Sequence, residues 1–179
     1  GGLADAFDET KSAWETEYLE LKTVLTPEEY AAARASTLNA HYTQPIVIES
    51  MYQALENLGF TKGNILEPSM GVGNFFGMLP EKLNQSKLYG VELDSISGRI
   101  AKLLYPDANI QIKGFEKTDY PNDFFDVAIG NVPFGAYKVN DRQYDRYNFM
   151  IHDYFLAKTI DQLRPGGVAA LITTKGTMD

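Results

Sequence analysis

The sequence contains no cysteine and only two histidines among its 179 residues. The absence of cysteine excludes disulfide bonds, thiolate metal ligands and a cysteine nucleophile. With two histidines a zinc site is not expected, and we predict no metal. No apolar run reaches the about 20 residues of a transmembrane helix, and no signal peptide opens the sequence. We therefore expect a cytoplasmic protein without a membrane partner.

The chain also lacks the basic excess of proteins that bind DNA tightly on their own, since its formal net charge is −8. Residues 1–20 hold six acidic residues against Lys11 alone, which accounts for −5 of that charge. Any basic module that grips DNA is therefore expected outside this chain. The contents of 44% hydrophobic and 22% charged residues are typical of a soluble globular domain with a real core.

The most informative stretch is Ile65–Phe76, which reads ILEPSMGVGNFF. A short apolar run ends in Glu67-Pro68, and Gly71 and Gly73 follow before an apolar segment that can begin a helix. This order is typical of the first strand, glycine turn and helix of an α/β nucleotide-binding unit. Glycine can adopt positive φ and lets a ligand approach the backbone closely. The third glycine of the dinucleotide fingerprint is missing, however, and many glycine turns only connect a strand to a helix.

Two later stretches narrow the interpretation. Leu88–Asp94 is a second apolar strand that ends in carboxylates about 20 residues after the turn, where an acid suits a ribose diol. Phe124–Phe134 is a further strand that ends in Asn-Val-Pro-Phe. With this tetrad the chain, from about Tyr42 to Thr174, resembles the adenine-N6 DNA methyltransferases, whose glycine loop precedes an Asn-Pro-Pro-Tyr/Phe tetrad. More narrowly, it resembles the methylase domains of large helicase-methylase proteins of conjugative elements and phages.

The hydrophobic pattern predicts an α/β fold with five strands. The strands are expected at 64–67, 87–92, 109–113, 125–130 and 168–173, with helices between them. This alternation implies a parallel sheet with right-handed crossovers. The resemblance implies the Rossmann-like fold of S-adenosylmethionine-dependent methyltransferases, with the strand order 3-2-1-4-5.

We predict two domains, a helical extension over residues 1–40 and a methyltransferase domain over 41–179. The extension would comprise an acidic amphipathic helix at 3–24, with Trp14 and Tyr18 buried, and a second helix from Pro27 to about Leu38. Both helices are expected to pack against a neighbouring domain, and His41 is expected to be a loop or packing residue. The resembled fold continues beyond strand 5, so we expect a C-terminally truncated fragment of a larger polypeptide, whose other domains would be its partners.

The resemblance assigns the catalytic role to the tetrad. The Asn131 side-chain oxygen and the Val132 carbonyl would accept the two N–H groups of an exocyclic amine, and Phe134 would stack on a flipped base. Pro133 would stiffen the loop by fixing φ. The commoner pattern has proline at position 132, so valine restores an N–H group and some backbone freedom. Asp126 is expected to be structural, and no general base is predicted.

The resemblance also implies S-adenosyl-L-methionine as cofactor. Its methionine and sulfonium part is expected along the first strand and glycine turn, formed by Glu67, Pro68, Ser69, Gly71 and Gly73. Thr43 either contacts the methionine end or only caps a helix. Glu92 is expected to bind the ribose, with Asp94 as a helix cap. Phe115 and Glu116 are expected at the cofactor adenine, with Asp119 as the alternative acid.

The loop after the tetrad mixes aromatic and cationic side chains, a combination that suits unstacked bases and phosphates. The candidate substrate-binding residues are Tyr137, Lys138, Arg142, Tyr144 and Arg146. The alternative is a solvated loop, because Asp141 and Asp145 nearly cancel its charge.

Three functions remain open at this point. The first is S-adenosylmethionine-dependent methylation of the N6 amine of adenine in DNA, in a restriction-modification or mobile-element setting. The second is N5 methylation of glutamine in a protein, since a carboxamide nitrogen poses the same chemical problem. The third is a cofactor-binding module of a helicase-like protein that does no chemistry.

Overall fold

The computed structural model describes residues 4–39 and 42–177. Leu3, His41 and the predicted boundary after residue 40 lie outside the described residues. A sheet of five strands forms the centre, with β1 (Asn64–Glu67), β2 (Lys87–Glu92), β3 (Asn109–Ile112), β4 (Phe125–Asn131) and β5 (Leu163–Ile172). All neighbouring strands are parallel, and the order β3-β2-β1-β4-β5 is the predicted one.

Six α-helices surround the sheet in the described part of the chain. They are α1 (Glu15–Val24), α2 (Pro27–Asn39), α3 (Pro45–Asn57), α4 (Asn74–Gly77), α5 (Ser95–Leu104) and α6 (Ile151–Gln162). Consecutive strand residues point to opposite faces, so Ile65 packs with the buried side of α3 and Leu66 with that of α6. Both faces of the sheet are thus covered, as a parallel sheet requires. No helix among the described residues is long and apolar enough to cross a membrane.

Strand β5 begins five residues earlier than the predicted 168–173. Phe125 pairs with Leu163 and Val127 already pairs with Val168, so the intervening residues bulge out of the ladder. Gly166 has φ of +82°, and a Cβ at Gly167 would lie 2.9 Å from the carbonyl oxygen of Arg164. The two glycines are therefore a requirement of this bulge, which the pattern Arg-Pro-Gly-Gly had indicated only as a turn.

The predicted continuous helix at 3–24 is wrong. Two short 3-10 turns, Ala4–Phe7 and Ser12–Trp14, precede α1, because the Asp8 carboxylate accepts hydrogen bonds from the N–H and hydroxyl groups of Thr10. Such a side-chain turn competes with helix hydrogen bonding. Trp14 and Tyr18 are only half-buried as a result.

Helix α2 begins where it was predicted, through reciprocal bonds between Thr26 and Glu29. Glu29 also forms a 2.6 Å ion pair with Arg99 of α5. Helix α2 therefore contacts the α/β part of the chain directly. The docking of the N-terminal helices on a further domain stays a prediction.

Asp126, near the start of β4, has the structural role that was expected. Its carboxylate accepts the backbone N–H of Asn64 at 2.7 Å and pairs with Arg164 at 2.5 Å. These bonds join β4 to the start of β1 and to the bulge before the main run of β5. The carboxyl ends of the same strands lie at the opposite edge of the sheet, where the candidate site is found.

Candidate active site

A cavity of about 390 Å³ opens at the carboxyl ends of β1, β2 and β4. Strand β1 lies at the centre of the sheet, and the chain order reverses there, which is where open α/β sheets bind ligands. Every predicted catalytic residue lines the cavity, as do all the predicted cofactor residues except Gly73. The cavity brings together Thr43, Glu67, Pro68, Ser69, Gly71, Glu92, Phe115, Glu116 and Asn131–Phe134.

The two glycines of the turn have different surroundings. Gly71 has φ of +57°, lines the cavity and donates its N–H to Glu92 at 2.7 Å. Gly73 has φ of +87° and begins α4, but it faces the ring of Tyr105, which a Cβ at this position would meet. Gly73 therefore serves the turn and the packing of Tyr105, and its contact with a cofactor stays a prediction.

Glu92 organises the turn from the end of β2. One carboxylate oxygen accepts the N–H of Gly71 and the other accepts the N–H of Asp94, both at 2.7 Å. Burial raises the pKa of Glu92, although these hydrogen bonds oppose the shift. Asp94 caps α5 as predicted, because its side chain accepts from the N–H groups of Ile96 and Ser97. The two acids thus have the separate positions that were expected, and the ribose contact of Glu92 stays a prediction.

Glu67 ends β1 and is 1% exposed. Its Oε2 atom is buried and has no hydrogen-bond partner among the described residues. Burial raises the pKa of Glu67 well above its usual range, and the nearby charge of Glu92 adds to the shift. A buried oxygen without a partner, beside a cavity, is a position where a ligand donor would restore a missing hydrogen bond.

We expect Glu67→Gln to reduce the loss of folding stability that the chain undergoes as the pH becomes alkaline. A carboxyl group whose pKa is higher in the folded state contributes stability that is fully present below its unfolded pKa, about 4.3, and is lost as the pH rises through the folded pKa. The difference in melting temperature between the variant and the wild type, measured from pH 4 to pH 9, should therefore shift in favour of the variant as the pH rises. Glu49→Gln, on the exposed side of α3, is the control, and an equal trend in both variants would contradict the assignment.

Asn131 ends β4 with its two side-chain atoms in different environments. Its Nδ2 donates to the Thr43 hydroxyl at 3.4 Å, whereas its buried Oδ1 has no partner among the described residues. The Ser69 hydroxyl donates to the Asn131 carbonyl at 2.7 Å, which ties the tetrad to the glycine turn. Thr43 does not cap α3, whose N-cap residue is Gln44. Its side chain instead orients the amide of Asn131.

The structure corrects the expected backbone freedom at Val132. The N–H group that valine restores donates to the Ile172 carbonyl at 3.0 Å, so it continues the β4–β5 ladder. The side chain is 1% exposed and packs in the core cluster under α6. Valine thus fixes this position by one hydrogen bond and by burial. Pro133 and Phe134 follow at the cavity mouth, where Phe134 is 38% exposed.

The opposite wall of the cavity comes from the segment after β3. Phe115 and Glu116 lie there, whereas Asp119 is exposed and does not line the cavity. Glu116 is therefore the better placed of the two acids that the sequence left open. Its contact with a cofactor adenine stays a prediction.

The five predicted substrate residues do not share one location. Tyr137 lines the cavity, while Lys138, Arg142 and Arg146 are exposed outside it. Tyr144 is 5% exposed, and its hydroxyl donates to Asp161 at 2.8 Å. The structure therefore corrects the prediction for Tyr144, whose ring packs in the core because the loop folds back onto α6.

Sequence reasoning missed two parts of the site. Ala32 and Ala35 of α2 contribute to the cavity wall, although the helix was assigned to a separate extension. Lys158 of α6 is buried against Asp141, a residue that had been read only as cancelling loop charge. A lysine at position 158 on the inner side of a helix with many apolar residues was the available signal. Within residues 4–39 and 42–177 no group of His, Asp or Glu side chains could hold a metal ion.

Comparison with solved structures identifies the fold. The chain is similar to a protein described as a modification subunit of a type I restriction enzyme from Vibrio vulnificus, with 17% identity and a TM-score of 0.59, over 91% of this chain and 39% of that one. It is also similar to an S-adenosylmethionine-dependent O-methyltransferase from Thermotoga maritima, with 15% identity and a TM-score of 0.54, over 80% of this chain and 50% of that one. The chain has the Rossmann-like fold of enzymes whose cofactor is S-adenosylmethionine.

The sequence is also similar to defense against restriction protein B of Escherichia phage P1. The two are 35% identical over 146 residues, which cover 76% of this chain and 6% of the relative. The chain thus spans a small part of the length of that protein. No family model matches the chain.

Proposed function

We propose that this chain, which has the fold of S-adenosylmethionine-dependent methyltransferases, transfers a methyl group to the N6 amine of adenine in DNA. The observation that carries the proposal is the unpartnered, buried Oδ1 of Asn131 in the wall of the cavity. Val132 and Phe134, the latter 38% exposed, line the same cavity.

The cavity fits the cofactor in size and in chemistry. Its volume of about 390 Å³ is in the range of small-molecule sites. Glu67 offers an unpartnered oxygen to the ammonium group of the methionine end, and this oxygen would gain the hydrogen bond that it lacks. Glu92 uses one acceptor site on each oxygen for backbone N–H groups, and a carboxylate has about four such sites, so acceptors remain for a ribose diol. When bound, S-adenosylmethionine supplies an electrophilic methyl group on its sulfonium.

The tetrad supplies hydrogen-bond acceptors that position an exocyclic amine for attack. The lone pair of such a nitrogen is delocalised into the ring, so the amine is a poor nucleophile. Two acceptors, the Asn131 Oδ1 and the Val132 carbonyl, would hold its two N–H groups and direct the nitrogen toward the cofactor side of the cavity. The amide of Asn131 is kept in this orientation by Thr43. No side chain is assigned as a general base, because the amine can lose its proton after the attack.

Several features support DNA as the substrate. Phe134 and Tyr137 place exposed aromatic rings at the cavity mouth, where a base taken out of its stack would bind. Lys138, Arg142 and Arg146 lie exposed along the same loop and can contact phosphates. The names of the phage relative and of the Vibrio protein both refer to restriction, a process that acts on DNA. Since the chain is acidic overall, most of the phosphate contact is assigned to a partner or domain beyond it.

A protein glutamine is the second candidate. A carboxamide nitrogen also presents two N–H groups, so the same acceptor pair fits it, and the net charge of −8 opposes a purely phosphate-driven contact. The exposed aromatic and cationic loop favours DNA over this alternative. A cofactor-binding module without chemistry is the third reading, and the assay below separates all three.

The test is a transfer assay with methyl-labelled S-adenosylmethionine. Adenine-containing oligonucleotides, single-stranded and duplex, are compared with adenine-free oligonucleotides and with a glutamine peptide, and digested products are identified by mass spectrometry. We expect label in N6-methyladenine only. Label in the peptide alone would support the glutamine alternative, and calorimetric binding of S-adenosylhomocysteine without any transfer would support the binding module. Absence of both binding and transfer would contradict the proposal.

A further inference from the structure

A largely buried ion pair joins two segments that contribute residues to the cavity wall. The side chains of Lys158 and Asp141 are 8% and 13% exposed, and their charged atoms are 3.1 Å apart. Neither residue lines the cavity. The pair is the centre of a group of contacts that the proposed reaction does not yet use.

The ammonium of Lys158 uses its three donors on two different segments. It donates to the carbonyl of Phe115 at 2.8 Å and of Thr118 at 3.3 Å, and it also donates to Asp141. The same ammonium lies 5.1 Å from the centre of the Phe115 ring. Lys158 thus holds the segment after β3 that forms the wall predicted for the cofactor adenine.

Asp141 belongs to the other wall, the loop that follows the tetrad. It accepts the hydroxyl of Tyr154 at 2.8 Å, and its backbone carbonyl accepts the N–H groups of Tyr144 and Asp145. Burial raises the pKa of Asp141, but the hydrogen bonds from Tyr154 and Lys158 outweigh it and hold this pKa below its ordinary value. The carboxylate is therefore charged at neutral pH, and its Oδ1 atom accepts the N–H of Gln143 at 3.1 Å within the turn at residues 141–147.

A charged pair at this depth is unfavourable unless its geometry is well satisfied, and removal of one partner leaves the other charge uncompensated. Here every ammonium hydrogen has an acceptor, and those acceptors lie on two segments far apart in sequence. Residues Phe115–Thr118 and the loop at 137–147 consequently share one anchor.

We propose that Lys158 and Asp141 are positioning residues that couple occupancy of the cofactor pocket to the order of the loop that receives the target base. The inference rests on the proposed function, because it assumes that the cofactor adenine lies against Phe115. The bound cofactor packs against Phe115 and restricts its motion. Phe115 contacts Lys158, and the ammonium of Lys158 binds Asp141 and so stabilises the turn at 141–147. The loop is then formed before the target base enters.

Hydrogen exchange with and without S-adenosylhomocysteine tests this coupling. The readout is residues 141–147, which do not line the cavity and would not be protected by direct contact. We expect the cofactor product to slow their exchange about fivefold or more in the wild type, the lower end of ordinary coupling between sites. In Asp141→Asn the protection should disappear, while the affinity for S-adenosylhomocysteine stays within about threefold, less than one decade of affinity.

Tyr144→Phe is the matched control. It removes the hydrogen bond to Asp161 and so loosens the same loop on the same helix, but it leaves Lys158 and Asp141 intact. Its loop should exchange faster overall and yet keep the cofactor-dependent protection. A purely structural role for the pair would make the two variants behave alike, and that result would overturn the inference.

The remaining outcomes are distinct from failure of the proposed function. If S-adenosylhomocysteine binds the wild type but leaves exchange at 141–147 unchanged, the coupling is wrong and the proposed function stands. If it does not bind, the proposed function is wrong and the coupling falls with it. Lys158→Met should also remove the protection, and where that variant does not fold the isosteric Asp141→Asn decides alone.

Discussion

Replacement of Asn131 by alanine should abolish methyl transfer while leaving cofactor binding nearly intact. The Oδ1 atom that is lost has no partner among the described residues, so the folded chain gives up only a 3.4 Å hydrogen bond to Thr43. The reacting amine, in contrast, would lose one of its two acceptors. Loss of a single preorganised hydrogen-bonding group in an active site lowers kcat by about 10²–10³-fold, and we expect a loss of at least this size. Single-turnover transfer to an adenine oligonucleotide measures it.

Two further measurements make this result specific. Asn131→Asp keeps an acceptor at the same place and should retain more activity than the alanine variant. Calorimetry with S-adenosylhomocysteine should give an affinity within about threefold of the wild type for both variants, well under one decade. Wild-type activity in Asn131→Ala would sink the catalytic assignment of the tetrad.

The second large effect is expected at Glu92. Alanine at this position removes the acceptor of the N–H groups of Gly71 and Asp94, so the glycine turn loses its support, and it also removes the acceptors assigned to the ribose diol. The affinity for S-adenosylhomocysteine should fall at least about 100-fold, which corresponds to about 2.7 kcal/mol. Isothermal titration of both proteins gives the ratio directly.

Glu92→Gln separates the two roles of the carboxylate. The amide keeps one acceptor oxygen, so it can hold one of the two backbone N–H groups but presents a donor to the other. An intermediate affinity is therefore expected. Glu56→Ala, which removes the half-buried partner of Lys82 and a residue that does not line the cavity, should bind as the wild type does. If Glu92→Ala bound the ligand normally, the cofactor assignment at the end of β2 would be wrong.

The sequence by itself determined the features that depend on local patterns. The existence of five parallel strands and the N-cap role of Asp94 follow from apolar runs, glycine positions and capping chemistry, the strand order follows from the family resemblance, and the structure confirms all three. The positions of the glycine turn and of Asn131 at strand ends also follow from the sequence. Because carboxyl ends of parallel strands share one edge, their meeting in one cavity could be expected from the strand order.

Other features depend on contacts between residues that are distant in sequence. Tyr144 was predicted to face the substrate, and only the fold of the loop onto α6 makes it a core residue bonded to Asp161. Val132 was expected to loosen the tetrad, whereas the carbonyl of Ile172, 40 residues later, holds it.

The ion pair of Lys158 and Asp141 is the clearest example of a feature that depends on contacts between residues distant in sequence. Asp141 read alone indicates a solvated charge, and the local signal at Lys158 is only its position on the inner side of α6. Their burial is tolerable only because the carbonyls of Phe115 and Thr118, more than 20 residues from Asp141, complete the hydrogen bonds of the ammonium. Periodicity and capping are properties of neighbours along the chain and can be read from it. The desolvation of a charge depends on which remote segments surround it, and the tertiary structure alone decides that.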